Sequence, residues 1–257
     1  MKRRVDLLPN LLSLGNMYCG LAAIFAAGAG EIDRAAWFVV LAIFFDAFDG
    51  KIARLTGTAS EFGKELDSLS DLVSFGIAPA LLIYEGIMKG HPRAGALIAA
   101  VYATTSALRL ARFNVGRASR GKDFIGLPAP AAGGVVASYT LFTSVHGANI
   151  ASFVTAHGMG IATLLIGPLT LGLALLMVSP IPYPKDRLFE VSRRRAFAML
   201  FVAILALAAF HAEPRATLFL LGLAYIALGP WRVIAARKHA ETDQETTVSE
   251  PAPNESQ

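Results

Sequence analysis

Four aspartates lie inside or beside apolar stretches that are long enough to cross a lipid bilayer: Asp46, Asp49, Asp67 and Asp71. On an insertion scale each carboxylate costs about 2.5 to 3.5 kcal/mol at the bilayer centre, so the group would cost on the order of 10 kcal/mol unless its members are paired, hydrated or metal-bound. The fold must therefore give these side chains a polar environment. We interpret them as residues that carry chemistry.

The spacing of these residues predicts two helical faces. The first face has residues at i, i+3, i+4, i+7 and i+8, namely Asp46, Asp49, Gly50, Ala53 and Arg54. The second face comprises Gly63, Asp67 and Asp71. If the two helices face each other, four carboxylates converge on one pocket. Carboxylate-rich sites suit hard divalent cations such as magnesium, manganese or calcium, and two such ions side by side can clamp the oxygens of a phosphoryl transfer.

The composition predicts an all-α, polytopic membrane protein. The chain is 54% hydrophobic with a mean hydropathy of +0.53, and its apolar stretches repeatedly approach the roughly 20 residues that cross a bilayer. We predict eight spans, at about 8–29, 35–55, 69–89, 94–116, 127–146, 158–180, 196–211 and 215–234. Residues 1–238 would form the membrane-embedded domain, and the polar segment 239–257 would be a disordered cytoplasmic tail.

The basic residues are distributed unequally between the two sides of this topology. Only Arg34, Lys89, Arg93 and Arg215 fall on one side, and the other 19 of the 23 lysines and arginines fall on the opposite side. Because positive residues are retained in the cytoplasm, both termini and the acidic residues are predicted to face the cytoplasm from the inner membrane. The excess of cytoplasmic basic residues would attract anionic lipid headgroups, so the net charge of +4 has a membrane explanation and does not indicate nucleic-acid binding.

The two helical faces together form the pattern DxxDGxxAR, eight residues, then GxxxDxxxD, which runs without substitution from Asp46 to Asp71. This pattern resembles the signature of the CDP-alcohol phosphotransferase family, whose members are integral membrane enzymes that displace CMP from a CDP-linked alcohol. The resemblance implies a helical membrane bundle that uses Mg²⁺ or Mn²⁺, with two ions expected. Homodimers are common in this family, so a homodimer is one expected assembly.

The resemblance also implies roles for individual residues. Asp46, Asp49 and Asp67 would bind metal. Asp71 would contact metal and accept the proton of the attacking hydroxyl. The metal could also make this hydroxyl more acidic. The positions that match contacts to the CDP portion of the donor, CDP-diacylglycerol, are Asn10, Ser13, Gly50, Arg54 and Ser60. Each position also has a simpler explanation. Asn10 and Ser13 could cap or solvate the start of the first helix, and Ser60 could be an ordinary loop serine. Gly50 could serve helix packing, and Arg54 could extend to the membrane interface.

Three further stretches, LPNLLSLGNMYCG, SALRLARFN and FIGLPAPAA, resemble the branch of the family that makes phosphatidylserine. This implies L-serine as the acceptor. Arg109 and Arg112 lie within one helical turn of each other, with Asn114 beside them, and an arginine there could hold the carboxylate that serine has and a polyol lacks. The alternative is that both arginines only anchor the topology.

Two other functions fit the same residues. One is the same transfer to glycerol 3-phosphate or to an inositol compound, with the arginines forming an anion site. The other is a membrane cation transporter that uses the aspartates as its binding site. Gly50 and Arg54 have a clear purpose beside a diphosphate and none in a transport path, so the sequence favours the transferase.

Overall fold

The computed structural model describes residues 7–56, 60–116, 124–151, 161–183 and 207–248. Helices form nearly all of the described secondary structure, which confirms the predicted all-α class. In chain order the elements are α1 (Leu7–Gly28), α2 (Ile32–Thr56), α3 (Glu61–Ile87), α4 (Pro92–Gly116), β1 (Phe124–Ile125), α5 (Ala129–Ala151), α6 (Ile161–Val178), β2 (Pro182–Tyr183) and α7 (Pro214–Val248). Residues 207–212 form one more short helical segment.

Three of the described helices are long and apolar enough to cross a membrane: Pro9–Gly28, Glu61–Ile87 and Pro92–Val115. Large apolar side chains such as Phe25, Leu97 and Leu175 lie exposed on the outside of the helices, as is typical of surfaces that face lipid. These helices and surfaces are consistent with a membrane protein. These three helices do not confirm the predicted number of eight spans. Most of the predicted seventh span, 196–211, lies outside the described residues.

The last helix is longer than the predicted eighth span. The sequence predicts that this span ends near residue 234 and that a disordered tail begins at residue 239, whereas α7 continues to Val248. Residues 249–257 lie outside the described part of the chain.

Helix α3 carries two of the aspartates and is irregular. Ser60 is the N-cap residue directly before the helix, and its side-chain oxygen accepts a hydrogen bond from the Gly63 amide at 3.0 Å. Directly after Asp71 the helix widens into a π-helical segment, Leu72–Ile77, and a second π-helical segment covers Leu82–Ile87. Such segments are frequent at functional sites because they change which residues face a neighbouring helix.

The first π-helical segment lies at the centre of the helix packing. A Cβ added to Gly20 of α1 would lie 2.8 Å from the Ser74 Cα atom, and one added to Gly133 of α5 would lie 3.2 Å from the Phe75 Cα atom. Glycines at these positions allow the backbones of α1 and α5 to contact α3. The Tyr102 hydroxyl of α4 donates to the Phe75 carbonyl at 3.1 Å. Three helices therefore hold α3 in place just beyond Asp71.

Polar contacts connect the helices at both ends of the bundle. At one end, Arg215 of α7 forms an ion pair with Asp33 of α2 at 3.1 Å and donates to Ser144 of α5 at 2.9 Å. At the other end, β1 pairs with β2 in antiparallel fashion, and the Gly126 amide donates to the Ile181 carbonyl at 2.9 Å. The four aspartates lie toward this second end.

Candidate active site

The structure brings the four aspartates of the motif together. Asp46 and Asp49 lie on α2, and Asp67 and Asp71 lie on α3. One carboxylate oxygen from each of Asp46, Asp49 and Asp67 lies within 4.8 Å of the others, and the Asp71 carboxyl group lies within hydrogen-bonding reach of Asp46. The faces that the residue spacing predicts are thus turned toward each other across the α2–α3 interface.

Helix α1 supplies two polar side chains that hold these carboxylates. The Ser13 hydroxyl donates to Asp49 Oδ2 at 2.9 Å, and the Asn16 amide donates to Asp71 Oδ1 at 3.1 Å. Both polar residues are buried, with exposed fractions of 4% and 0%. Helix α1 therefore donates a hydrogen bond to one aspartate of α2 and to one aspartate of α3, and these bonds help to set the distance between the two aspartates.

Asn16 is a site residue that the sequence analysis does not identify. The signal that could have found it is its position three residues after Ser13, which places both polar groups on one face of an otherwise apolar helix. Ser68 is a second such residue. It exchanges hydrogen bonds with Asn114 of α4 at 3.0 and 3.2 Å, immediately beside Asp67.

Two of the predicted nucleotide-side residues, Asn10 and Ser60, meet the motif glycine Gly63 where α3 begins. A Cβ added to Gly63 would lie 2.9 Å from Asn10 Oδ1 and 3.2 Å from Ser60 Oγ. Gly63 therefore allows α1 and α3 to approach closely here. The contacts that the structure gives to Asn10 and Ser60 are packing and capping contacts at this junction.

Gly50 lies beside Asp49 and faces open space. A Cβ added to Gly50 would meet no heavy atom of the described residues within 4 Å. Helix packing therefore does not explain the glycine, whereas a bulky ligand close to the α2 backbone would. The backbone of Arg54 belongs to the same helix, but its side chain lies outside the described residues.

The two arginines of α4 have different environments. Arg109 is 8% exposed and interacts electrostatically with Asp71 and Asp46. Its Nε atom has no hydrogen-bond partner among the described residues. Arg112 is exposed, and its Nη1 atom donates to the Val178 carbonyl at the end of α6 at 3.2 Å. The structure thus brings Arg109 to the aspartates and places Arg112 against α6.

The aspartate cluster has the donor chemistry of a hard-cation site. Its three converging ligand atoms are all carboxylate oxygens, the type that Mg²⁺, Mn²⁺ and Ca²⁺ prefer. Ser13 already orients one of them through Asp49 Oδ2, as an outer-shell hydrogen bond does at a metal site. The residues present therefore fit a divalent metal ion.

The sequence is similar to those of known proteins. The sequence model of the family described as CDP-alcohol phosphatidyltransferase matches residues 6–175 of the chain. The chain belongs to this family. The matched region contains α1 to α5, including all four aspartates and both α4 arginines.

Several relatives carry a more specific name. The chain is 37% identical over 179 residues to the CDP-diacylglycerol–serine O-phosphatidyltransferase of Helicobacter pylori strain J99, covering 69% of this chain and 72% of the relative. It is 36% identical over 182 residues to the enzyme of the same name from Bacillus subtilis, covering 70% and 91%. It is also 36% identical over 180 residues to the archaetidylserine synthase of Methanothermobacter thermautotrophicus, covering 69% and 70%.

Proposed function

We propose that this family member transfers the phosphatidyl group of CDP-diacylglycerol to the hydroxyl of L-serine, giving phosphatidylserine and CMP. The observation that carries the choice of acceptor is the buried Arg109 beside the aspartate cluster. A guanidinium at that point can bind a carboxylate, which serine carries and a simple polyol lacks. The names of the relatives support the same acceptor.

The chemistry is an in-line displacement at phosphorus. The serine oxygen forms a bond to the phosphorus of the phosphatidyl group, the bond between this phosphorus and the CMP oxygen breaks, and CMP leaves. Asp71 accepts the hydroxyl proton. Its Oδ1 is engaged by the Asn16 amide at 3.1 Å, which orients the carboxylate toward the acceptor. Positioning and charge stabilisation supply most of the catalysis in reactions of this type.

Asp46, Asp49 and Asp67 would hold divalent metal, with Asp71 as an additional contact, and Mg²⁺ or Mn²⁺ in two sites is the proposed occupant. When bound, the ions neutralise the charge on the diphosphate and on the transition state. The chain's own contribution is the arrangement of the three carboxylates and the Ser13 hydrogen bond that orients Asp49.

The cytidine diphosphate would lie against α2 and the start of α3. Gly50 leaves room for it, and Arg54 would donate to its phosphates. Asn10, Ser13 and Ser60 would line the same side, since all three lie close to Gly63 or Asp49. The acyl chains of the lipid would remain among the apolar helices, which explains why an enzyme that acts on a nucleotide is embedded in a membrane.

Arg109, and not Arg112, is the proposed carboxylate-binding arginine. Arg112 is exposed and already donates to the main-chain carbonyl of Val178. Asn114 would act indirectly, because its hydrogen bonds to Ser68 hold α4 against the part of α3 that carries Asp67.

The proposed topology has eight spans in the inner membrane, with both termini and the site on the cytoplasmic side. The Arg215–Asp33 contact supports this topology. The segments that contain Asp33 and Arg215 are both predicted to lie outside the cytoplasm, and the contact joins them at the end of the bundle opposite the aspartates. A homodimer is the proposed assembly. Cysteine accessibility in intact cells tests the topology, and light scattering in detergent tests the assembly.

The decisive experiment measures CMP release by the purified protein in vesicles containing CDP-diacylglycerol and Mg²⁺ or Mn²⁺. Serine, glycerol 3-phosphate and inositol are supplied separately, and Asp71→Asn serves as the inactive control. Of the three acceptors, we expect only serine to give CMP release, together with phosphatidylserine. Release with another acceptor and not with serine would overturn the proposed acceptor. Metal uptake into the vesicles without CMP release would instead identify a transporter.

A further inference from the structure

Asn16 has one half of its side-chain amide engaged and the other half unpaired. The nitrogen donates to Asp71 Oδ1 at 3.1 Å. The oxygen is buried and has no hydrogen-bond partner among the described residues, although the residue is 0% exposed. The orientation of the amide follows from chemistry, because only the nitrogen can donate to a carboxylate. Burying an unpaired amide oxygen costs stability, so this atom requires an explanation.

The surrounding packing holds this amide in place. The Ser74 hydroxyl of α3 donates to the main-chain carbonyl of Asn16 at 2.8 Å. One turn further along α1, Gly20 contacts the backbone at Ser74. Asn16 is thus fixed to α3 through its backbone as well as through its side chain, and its unpaired oxygen is held at a defined distance from Asp71.

That distance matches the geometry of an amino acid that carries a hydroxyl. The oxygen and nitrogen of an amide group are roughly 2.2 Å apart by covalent geometry. The Asn16 oxygen therefore lies no farther than roughly 5.3 Å from Asp71 Oδ1, given the 3.1 Å hydrogen bond. In serine the hydroxyl and the ammonium group are on adjacent carbons, so a group that binds the ammonium must lie close to the base that accepts the hydroxyl proton.

We propose that the Asn16 side-chain oxygen accepts a hydrogen bond from the α-ammonium group of the acceptor, while the Asn16 nitrogen positions Asp71. This inference rests on the proposed function and adds a second recognition element to it. Arg109 binds the carboxylate from α4, and Asn16 binds the ammonium from α1. The two groups lie on different helices that both face Asp71, and together they select an amino acid over a polyol or a hydroxy acid.

The test compares serine with 3-hydroxypropanoate, which keeps the hydroxyl and the carboxylate but lacks the ammonium group. The quantity measured is the ratio of kcat/KM for the two acceptors, from CMP release. The parent enzyme should prefer serine by roughly tenfold or more, the order expected for a charge-assisted hydrogen bond. Asn16→Leu removes both amide functions at similar size, and it should lower kcat for both acceptors and bring their ratio close to one.

Two further variants separate the roles of the amide. Asn16→Asp keeps an oxygen for the ammonium but loses the donor to Asp71, so it should lower kcat for both acceptors and preserve the preference for serine. Ser74→Ala loosens the same helix contact without touching the amide, and it should leave the ratio unchanged. The KM for CDP-diacylglycerol should stay within about threefold in every variant, because none of these changes reaches the donor side.

The proposal is overturned if Asn16→Leu keeps the parent ratio, if Asn16→Asp loses it, or if the parent shows no preference for serine over 3-hydroxypropanoate. If Asn16→Leu does not fold, the Asn16→Asp result alone decides the question. Failure of the proposed function looks different, because the parent itself would then release no CMP with serine.

Discussion

The Arg112 guanidinium donates to the main-chain carbonyl of Val178 at 3.2 Å. This contact caps the end of α6 and fixes α4 against it. Arg109, three residues earlier on the same helix, is buried beside Asp71 and Asp46. The two arginines are similar in sequence context, but the structure gives them different neighbours and therefore different expected effects on activity.

Arg109→Ala should raise the KM for serine at least about tenfold, since one charge-assisted hydrogen bond contributes roughly 1.5 to 3 kcal/mol. The KM for CDP-diacylglycerol should change little. Arg112→Ala is the matched control, and it should leave the serine KM near the parent value. Serinol, which lacks the carboxylate, should be a poor acceptor for the parent and should be less disfavoured by the Arg109 variant. An unchanged serine KM in Arg109→Ala would place the carboxylate site elsewhere.

Asp71→Asn should abolish transfer and leave CDP-diacylglycerol binding within roughly tenfold. The amide keeps the shape of the carboxylate but cannot accept the hydroxyl proton. Binding can be followed by titration calorimetry in detergent, and transfer by CMP release. Turnover close to that of the parent would mean that another group is the base.

Removal of divalent metal should abolish activity, because the three converging carboxylates of Asp46, Asp49 and Asp67 need a cation to hold a diphosphate. Excess EDTA should stop CMP release, and added Mg²⁺ or Mn²⁺ should restore it. Asp46→Asn and Asp49→Asn should require more metal for half-maximal activity. Full turnover in EDTA would contradict the proposed mechanism.

Gly50→Ala should fold normally but raise the KM for CDP-diacylglycerol at least about tenfold, because the new methyl group enters the space that we assign to the nucleotide. Gly28→Ala is a suitable control. Its added Cβ also meets open space, but it lies at the far end of α1 from Ser13 and Asn16. Equal KM values for the two variants would argue against a nucleotide at Gly50.

Gly126→Ala should destabilise the protein. Gly126 has a φ of +83°, which other residues rarely adopt, and an added Cβ would lie 2.4 Å from the Met177 carbonyl oxygen. Left-handed backbone alone costs about 1 to 3 kcal/mol for a residue with a side chain. A lower Tm in detergent checks this prediction. Gly172→Ala, where α6 has open space, should keep the parent Tm.

The sequence by itself determined the elements of the site. The apolar stretches predicted the helical membrane fold, and the spacing of Asp46, Asp49, Asp67 and Asp71 predicted two acidic helical faces, because helical periodicity is a local property of the chain. The family followed from the same residues. The number of spans did not follow in the same way, because within the described ranges α1, α3 and α4 are the helices that are long and apolar enough to cross a membrane.

The tertiary structure alone decided which polar groups meet the aspartates. Periodicity places Arg109 and Arg112 on neighbouring parts of one helix, but only the rotation of α4 against α3 and α6 determines that Arg109 faces Asp71 and Arg112 faces Val178. Asn16 reached Asp71 through the close approach of α1 and α3 at Ser74. Such contacts depend on the axial register of helices that are more than 50 residues apart in the chain, and no local pattern contains that information.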